Sequence, residues 1–282
     1  LMTKQKQKIM AIAIIGGLLC IVSLLALHVG TIMIPIGGGI QSILNGMGIP
    51  VHFTAPITAE QEAVVWFIRM PRLIIGLLVG GALALAGAVM QGVFSNPLAD
   101  PGIMGVSAGA SLGAVIAIAL GVTSLGMFYM PAFAFVGAFV SVGITIILTL
   151  RNNKLDTTTL LLAGVAVSML LGAFTSGILT MINEYRLREF LFWMVGGLDF
   201  RRWDHVALAV GPIVTGSVIL MMLGRHLNVL VLGDTEARVL GLPVMVYRML
   251  FLFLASVVTA TAVCVSGSIG FVGLVVPHIV RL

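Results

Sequence analysis

The chain has 282 residues, of which 60% are hydrophobic and 9% charged, with a formal net charge of +5. An apolar share well above the ~45–50% of soluble domains excludes a soluble protein and defines an integral membrane protein. Its basic residues sit between apolar runs rather than in one patch, which argues against a nucleic-acid partner, and its two cysteines, Cys20 and Cys264, lie within apolar runs as small packed side chains rather than a disulfide framework or metal site.

In chain order, Lys4, Lys6 and Lys8 precede an apolar run from Ile9 to about Ile34. It is too long for a signal-peptide core and reads as the first membrane helix, with His28 near its far end as an interfacial histidine rather than a ligand. Pro35 to Glu62, rich in Gly, Pro and Thr, reads as an extramembrane loop that returns through Trp66 as an aromatic anchor. A second span runs from Arg72 to Phe94 and a third from Ile103 to Gly121, joined by Asn96-Pro97-Leu98-Ala99-Asp100-Pro101-Gly102, whose prolines and glycine cannot continue a helix. Further spans are expected over Met127 to Leu150, ending at Arg151-Asn152-Asn153-Lys154, and over Thr159 to Met181.

Asn183 to Asp204 is charged, and within it Phe190 to Val195 is too short to cross a bilayer, so it reads as an interfacial or re-entrant helix closed by Gly196-Gly197. His205 to Leu223 is the sixth span, Arg225 to Tyr247 a polar insert, and Arg248 to Gly270 the seventh span. Placing the amino terminus in the cytoplasm puts Lys4, Lys6, Lys8 and Lys154 inside, the sense of the positive-inside rule. An offset of 180 positions lays Gly87 on Gly267 and Pro97 on Pro277, a faint repeat whose two copies would run in opposite directions, as in many transporters.

Small residues recur at four-residue spacing at Gly76 and Gly80, Ala82 and Ala86, and Gly105, Gly109 and Gly113. Tight helix packing in lipid accounts for most of them; a path lined by backbone, Gln91, Ser107 and Ser111 is the functional alternative. Apart from Arg72 and Arg248, which open two of them, no Asp, Glu, Lys or Arg falls inside the seven spans, whereas ion- or proton-coupled carriers usually hold an ionisable group there. The sequence has no G-x-x-x-x-G-K-[ST] phosphate loop, no H-E-x-x-H and no nucleophile elbow. No enzyme site is defined, and energy for transport would have to come from a partner pressing on the insert at 225–247.

A family resemblance rests on Arg69-Met70-Pro71-Arg72, Ala86 to Gln91, Asn96 to Gly102, Gly105 to Ala110, Leu160 to Ala166, Trp193-Met194-Val195-Gly196-Gly197, Leu232-Gly233 through Leu240-Gly241-Leu242-Pro243, and Gly270 to His278. Together these make the chain resemble the permease subunits of type II ABC importers, which take up ferric siderophores, haem and cobalamin.

The resemblance implies an all-α polytopic membrane protein with inverted-repeat topology, a single permease domain over 1–282, and about seven of the family's ten helices within this sequence. By position, Arg69 would meet a glutamate of an extracytoplasmic substrate-binding protein, Thr157 and Thr158 would form a cytoplasmic gate, and Gly233, Asp234, Glu236, Ala237, Arg238, Leu240 and Gly241 would fit a groove on the ATPase. Helix capping by Asp156 or Thr157 is the plainer role for the gate segment. The implied assembly has a second permease copy or paralogue, two ATPase subunits that bind ATP and Mg, and no cofactor on this chain, in the cell membrane of a bacterium. The implied cargo is a ferric siderophore or haem-type iron complex, with cobalamin as the alternative. An ATP-independent secondary carrier is the rival from another class.

Overall fold

The computed structural model describes residues 4–49, 58–150 and 155–281. The expected stop at Arg151 to Lys154, and residues 50–57 of the expected loop, lie outside the described residues. Everything described is helix or connection, and six helices are long and apolar enough to cross a membrane. In chain order these and the shorter helices fall into two compact units, Leu1–Gly76 with Asp199–Val206, and Leu77–Leu198 with Ala207–Leu282.

In the first unit, α1 (Lys4–His28) is apolar all round, and none of its apolar window is buried, as suits a helix meeting lipid on every side. Cys20 is accordingly exposed on it rather than packed. The helix ends at His28, six residues before the expected limit, where the ring nitrogens lie 2.6 Å from the Leu24 carbonyl and 3.3 Å from that of Ile36. His28 is thus satisfied by backbone.

The expected loop instead contains α2 (Ile36–Gly46). Its glycines suggested turns, but two of them serve close packing: a Cβ on Gly39 would lie 2.4 Å from the His28 ring and one on Gly46 2.3 Å from the Trp66 indole. α3 (Ala59–Ala63) begins with a capping box, Gln61 N–H donating to Thr58 Oγ1 at 3.2 Å and Thr58 N–H to Gln61 Oε1 at 3.1 Å. The next turn, Val64–Arg69, widens to π-helix before α4 (Met70–Val93). Pro71 has no N–H for the carbonyl four residues back, which removes one α-helical bond at that junction. The Trp66 ring lies 5.0 Å from that of Trp203, whose Nε1–H donates to the Trp66 carbonyl at 2.9 Å.

The second unit is built around α5 (Val106–Leu120), α6 (Tyr129–Thr149), α7 (Thr157–Leu179) and α12 (Val244–Ser266), with α8 (Glu184–Val195), α9 (Trp203–Met222), α10 (Gly224–Leu230), α11 (Asp234–Val239) and α13 (Val272–Arg281) completing the chain. The third span is shorter than drawn: a 3₁₀ turn, Pro101–Met104, precedes α5, and Gly105 with φ +80 separates them. Only a residue without a Cβ takes that backbone comfortably, and here a Cβ would also lie 2.3 Å from Ser141 Oγ.

α5 and α6 meet backbone to backbone, since a Cβ on Gly113 would sit 2.0 Å from the Phe133 carbonyl oxygen. α8 starts six residues earlier than its apolar core implied, capped by the Asn183 side chain, and ends at Gly196 as expected. Its end is locked to that of α12, Gly197 N–H donating to the Ser266 carbonyl at 2.7 Å. α12 is the central helix, with 78% of its apolar window buried. Gly87 lies within α4, whereas Gly267 caps α12.

Candidate functional site

α12 begins after Pro243, four residues upstream of the expected start, so Arg248 lies inside the helix. The expectation that no charge falls within a span therefore fails at this position. Pro243 has the fixed φ that suits the edge of a helix, and an acidic partner makes the buried charge tolerable. Arg248 side-chain exposure is 8% against 44% for Asp234, the first residue of α11, and the two form a forked ion pair: Nη2 donates to Oδ1 at 2.6 Å and Nη1 to Oδ2 at 3.2 Å. Such a fork suits a guanidinium and not an ammonium. Nη1 also donates to the Leu155 carbonyl at 2.9 Å.

Leu155 is buried and stands two residues before α7. Asp156 caps that helix, accepting from the Thr159 amide and hydroxyl at 2.7 Å each, and these bonds hold its carboxyl below the usual aspartate range. Of the two plain capping roles the sequence allowed, Asp156 fills the one at α7, leaving Thr157 half-buried and Thr158 exposed in the first turn. A cleft of about 220 Å³ opens beside the pair, bordered by Asp156, Asp234, Arg238 and Arg248. One arginine thus joins the start of α7 to the insert at 225–247.

The insert consists of α10 and α11. Gly233 has φ +120 and a Cβ there would lie 2.4 Å from Glu236 Oε2, while Gly241 has φ +82 just past the helix. The two glycines bound α11. Ala237 is buried, whereas Glu236 and Arg238 are exposed together with Val239 and Leu240, at 83% and 64%. The segment therefore turns one face to its own unit and presents a mixed apolar and charged face.

Among the other sequence candidates, Arg69 and Gln91 have their own hydrogen-bond partners. Arg69, half-buried, donates from Nη1 to the Leu27 carbonyl at 2.7 Å and from Nη2 to that of Ile32. Gly30 leaves room for it, since a Cβ there would lie 2.7 Å from Nη2. Its neighbour Arg72 carries the more open charge, paired to Asp199 at 2.9 Å with 53% and 67% of the two side chains exposed.

Gln91 is buried at 2% exposure, its Nε2 donating to the Leu274 carbonyl of α13 at 3.1 Å and its Oε1 without a partner among the described residues. Close by, Gly87 allows contact with α13, because a Cβ would lie 1.8 Å from the Gly273 oxygen, the carbonyl that Pro277 cannot bond. Ser107 and Ser111 are half-buried on α5, two positions round from the glycines that meet α6. Arg248 and Leu155 were missed by sequence reasoning. The signal available was Pro243 as a helix start, which places Arg248 one turn inside.

Close-packed apolar spans, with ionised side chains gathered near the helix ends, define a polytopic membrane protein. The profile of the FecCD transport family matches residues 18–282. Over 235 residues, 83% of this chain, the sequence is 46% identical to the cobalamin import system permease protein BtuC of Halobacterium salinarum, and it spans 62% of that relative's length. It is 36% identical over 277 residues to the uncharacterized ABC transporter permease protein YvrB of Bacillus subtilis, covering 97% of this chain and 75% of the relative.

The vitamin B12 import system permease protein BtuC of Citrobacter koseri is 40% identical over 225 residues, 80% of this chain and 68% of the relative. A solved structure described as an inward-facing conformation of a transporter assigned to the metal-chelate ABC type superposes with a TM-score of 0.80 at 29% identity, covering 93% of this chain and 77% of that one. The chain belongs to the FecCD transport family, and the relatives named above are permease proteins.

Proposed function

We propose that this chain supplies the membrane path of an ATP-driven importer for a bulky metal chelate, working with two ATPase subunits, a second permease copy and an extracytoplasmic binding protein. ATP and Mg²⁺ would be held by the ATPases and not by this chain. The observation that carries the reading is the α10–α11 segment, which is clamped to its own unit by Asp234 and presents Glu236, Arg238, Val239 and Leu240 outward. A free surface of that kind suits a partner groove, and its anchor suits transmission of force.

The names of the relatives favour cobalamin over the ferric siderophore or haem expected first from the sequence. A path without charges would grip neither strongly, so selection would rest on the binding protein. Arg69 would act at docking, and Thr157 and Thr158 would gate the cytoplasmic end.

The test is uptake of cyanocobalamin, a ferric hydroxamate and haemin by the full-length permease reconstituted in liposomes with its ATPase and binding protein. Cobalamin uptake that needs ATP is the expected result. Uptake by the permease alone would instead establish the secondary carrier, and ferric-complex uptake without cobalamin uptake would return the cargo to iron.

A further inference from the structure

Arg248 is, among the described residues, the side chain hydrogen-bonded both to the α10–α11 segment and to the residues leading into α7. Along the chain these two regions are separated by α7, α8 and α9, so the guanidinium is the short route between them. The two ends of the link are unequal: Arg248 is buried within the most buried helix, whereas Asp234 is 44% exposed and borders the cleft. A shift of α11 therefore has open space on the Asp234 side and a fixed pivot on the other.

The guanidinium is also not fully satisfied here. Its Nε–H is buried with no acceptor among the described residues, although buried polar groups are nearly always paired. A purely structural staple would be expected to use that donor. Nη1 meanwhile uses its two N–H groups on Asp234 Oδ2 at 3.2 Å and on the Leu155 carbonyl at 2.9 Å, so one planar guanidinium holds both and a turn of that plane moves both.

We propose that Arg248 is the positioning residue that transmits movement of α11 to the first turn of α7, because its rigid guanidinium holds the Asp234 carboxylate and the Leu155 carbonyl at the same time. This rests on the reading of α10–α11 as the ATPase contact and of Thr157 and Thr158 as the gate. When the ATPases displace α11, the carboxylate draws on the fork, the guanidinium plane turns, and the Leu155 carbonyl moves with it. The cap at Asp156, one residue on, follows. Leu155 and Asp156 thus set whether the first turn of α7 is held or free.

The test measures amide hydrogen exchange in the full-length protein over residues 157–161, with Asp234→Asn, Arg248→Lys, Arg248→Met and the Asp234→Asn/Arg248→Met pair. Arg248→Met removes the buried charge at similar volume and leaves Asp234, 44% exposed, to water, and the pair with Asp234→Asn leaves no carboxylate unpaired. Asp234 bonds nothing in α7, yet Asp234→Asn is expected to change exchange there by about tenfold, the factor of one charge-assisted hydrogen bond. That effect should vanish when Arg248 is already Met. Arg248→Lys, which cannot fork, should behave as Met does. A second readout is cyanocobalamin taken up per ATP hydrolysed, which loss of folded protein alone would leave unchanged and a broken link would lower.

Exchange at 157–161 that ignores Asp234→Asn, or that responds equally with Met at 248, overturns the link. The control separates this from the functional reading: ATP-dependent uptake by wild type with an unresponsive α7 overturns the link alone. A responsive α7 without ATP-dependent uptake overturns the importer alone.

Discussion

Gly109 of α5 and Gly137 of α6 face each other so closely that a Cβ on either would lie 2.3 or 2.2 Å from the other's carbonyl oxygen. In lipid, helices gain nothing from burying apolar surface against one another, so contact of this kind carries the association. Gly137→Leu is expected to destabilise the protein by about 1–3 kcal/mol through overpacking, read as a lowered midpoint of thermal unfolding in detergent. Gly80→Ala is the control, since nothing lies within 4 Å of a Cβ there. Equal midpoints for Gly137→Leu and Gly80→Ala would show that the close contact is not a source of stability.

Arg69 and Arg72 are expected to respond differently to substitution. Arg72→Ala breaks an exposed ion pair with Asp199, a class of contact worth about 0–1 kcal/mol and screened by salt. Arg69→Ala instead leaves the carbonyls of Leu27 and Ile32 without their donor, and should raise proteolytic or exchange sensitivity around residues 27–32. Arg69→Glu should also weaken affinity for the binding protein if this residue docks it. A charge reversal on the partner that restores affinity while exchange stays high would separate the two roles, and unchanged affinity in Arg69→Glu would end the docking assignment.

Long apolar runs made most of the helices legible, because length and hydropathy suffice where the surrounding solvent is lipid. Glycine was the weak point of that reading. Gly39 and Gly46 fell in a stretch read as a Gly-rich loop and are packing surfaces within α2, set against His28 and Trp66, contacts that local sequence does not encode. Arg248 was misplaced for a related reason. A charge seems to end an apolar run, yet a helix started by Pro243 carries it inward to an aspartate fourteen residues back. Gln91 was expected on the path, and it bonds the Leu274 carbonyl; periodicity cannot tell an amide that faces a path from one that bonds a neighbouring helix.

Gln91 and Gly87 offer a test of that distinction. Gln91→Leu loses one bond to the Leu274 carbonyl but also removes the unpaired Oε1, so stability should change by less than about 1 kcal/mol. Gly87→Ala should cost more, because a methyl group would lie 1.8 Å from the Gly273 oxygen and α13 would have to move. Both are read as unfolding midpoints of the full-length protein in detergent. Transport that falls sharply in Gln91→Leu at unchanged stability would put this side chain on the cargo path after all.

Asp156 predicts a pH dependence at the start of α7. Its bonds to Thr159 hold the folded-state carboxyl below 3.8, its ordinary value, so the carboxylate form favours the folded cap. The sign follows directly: the contribution is present above the ordinary aspartate value and is lost as pH falls through the lower folded one. Exchange at the Thr159 amide, corrected for the intrinsic pH effect, should therefore rise in acid below that range and stay level above it. Asp156→Asn keeps a capping oxygen without a titrating proton and should flatten the profile, whereas Asp156→Ala should give fast exchange at every pH. A wild-type profile as flat as that of Asp156→Asn would mean that the cap does not depend on charge.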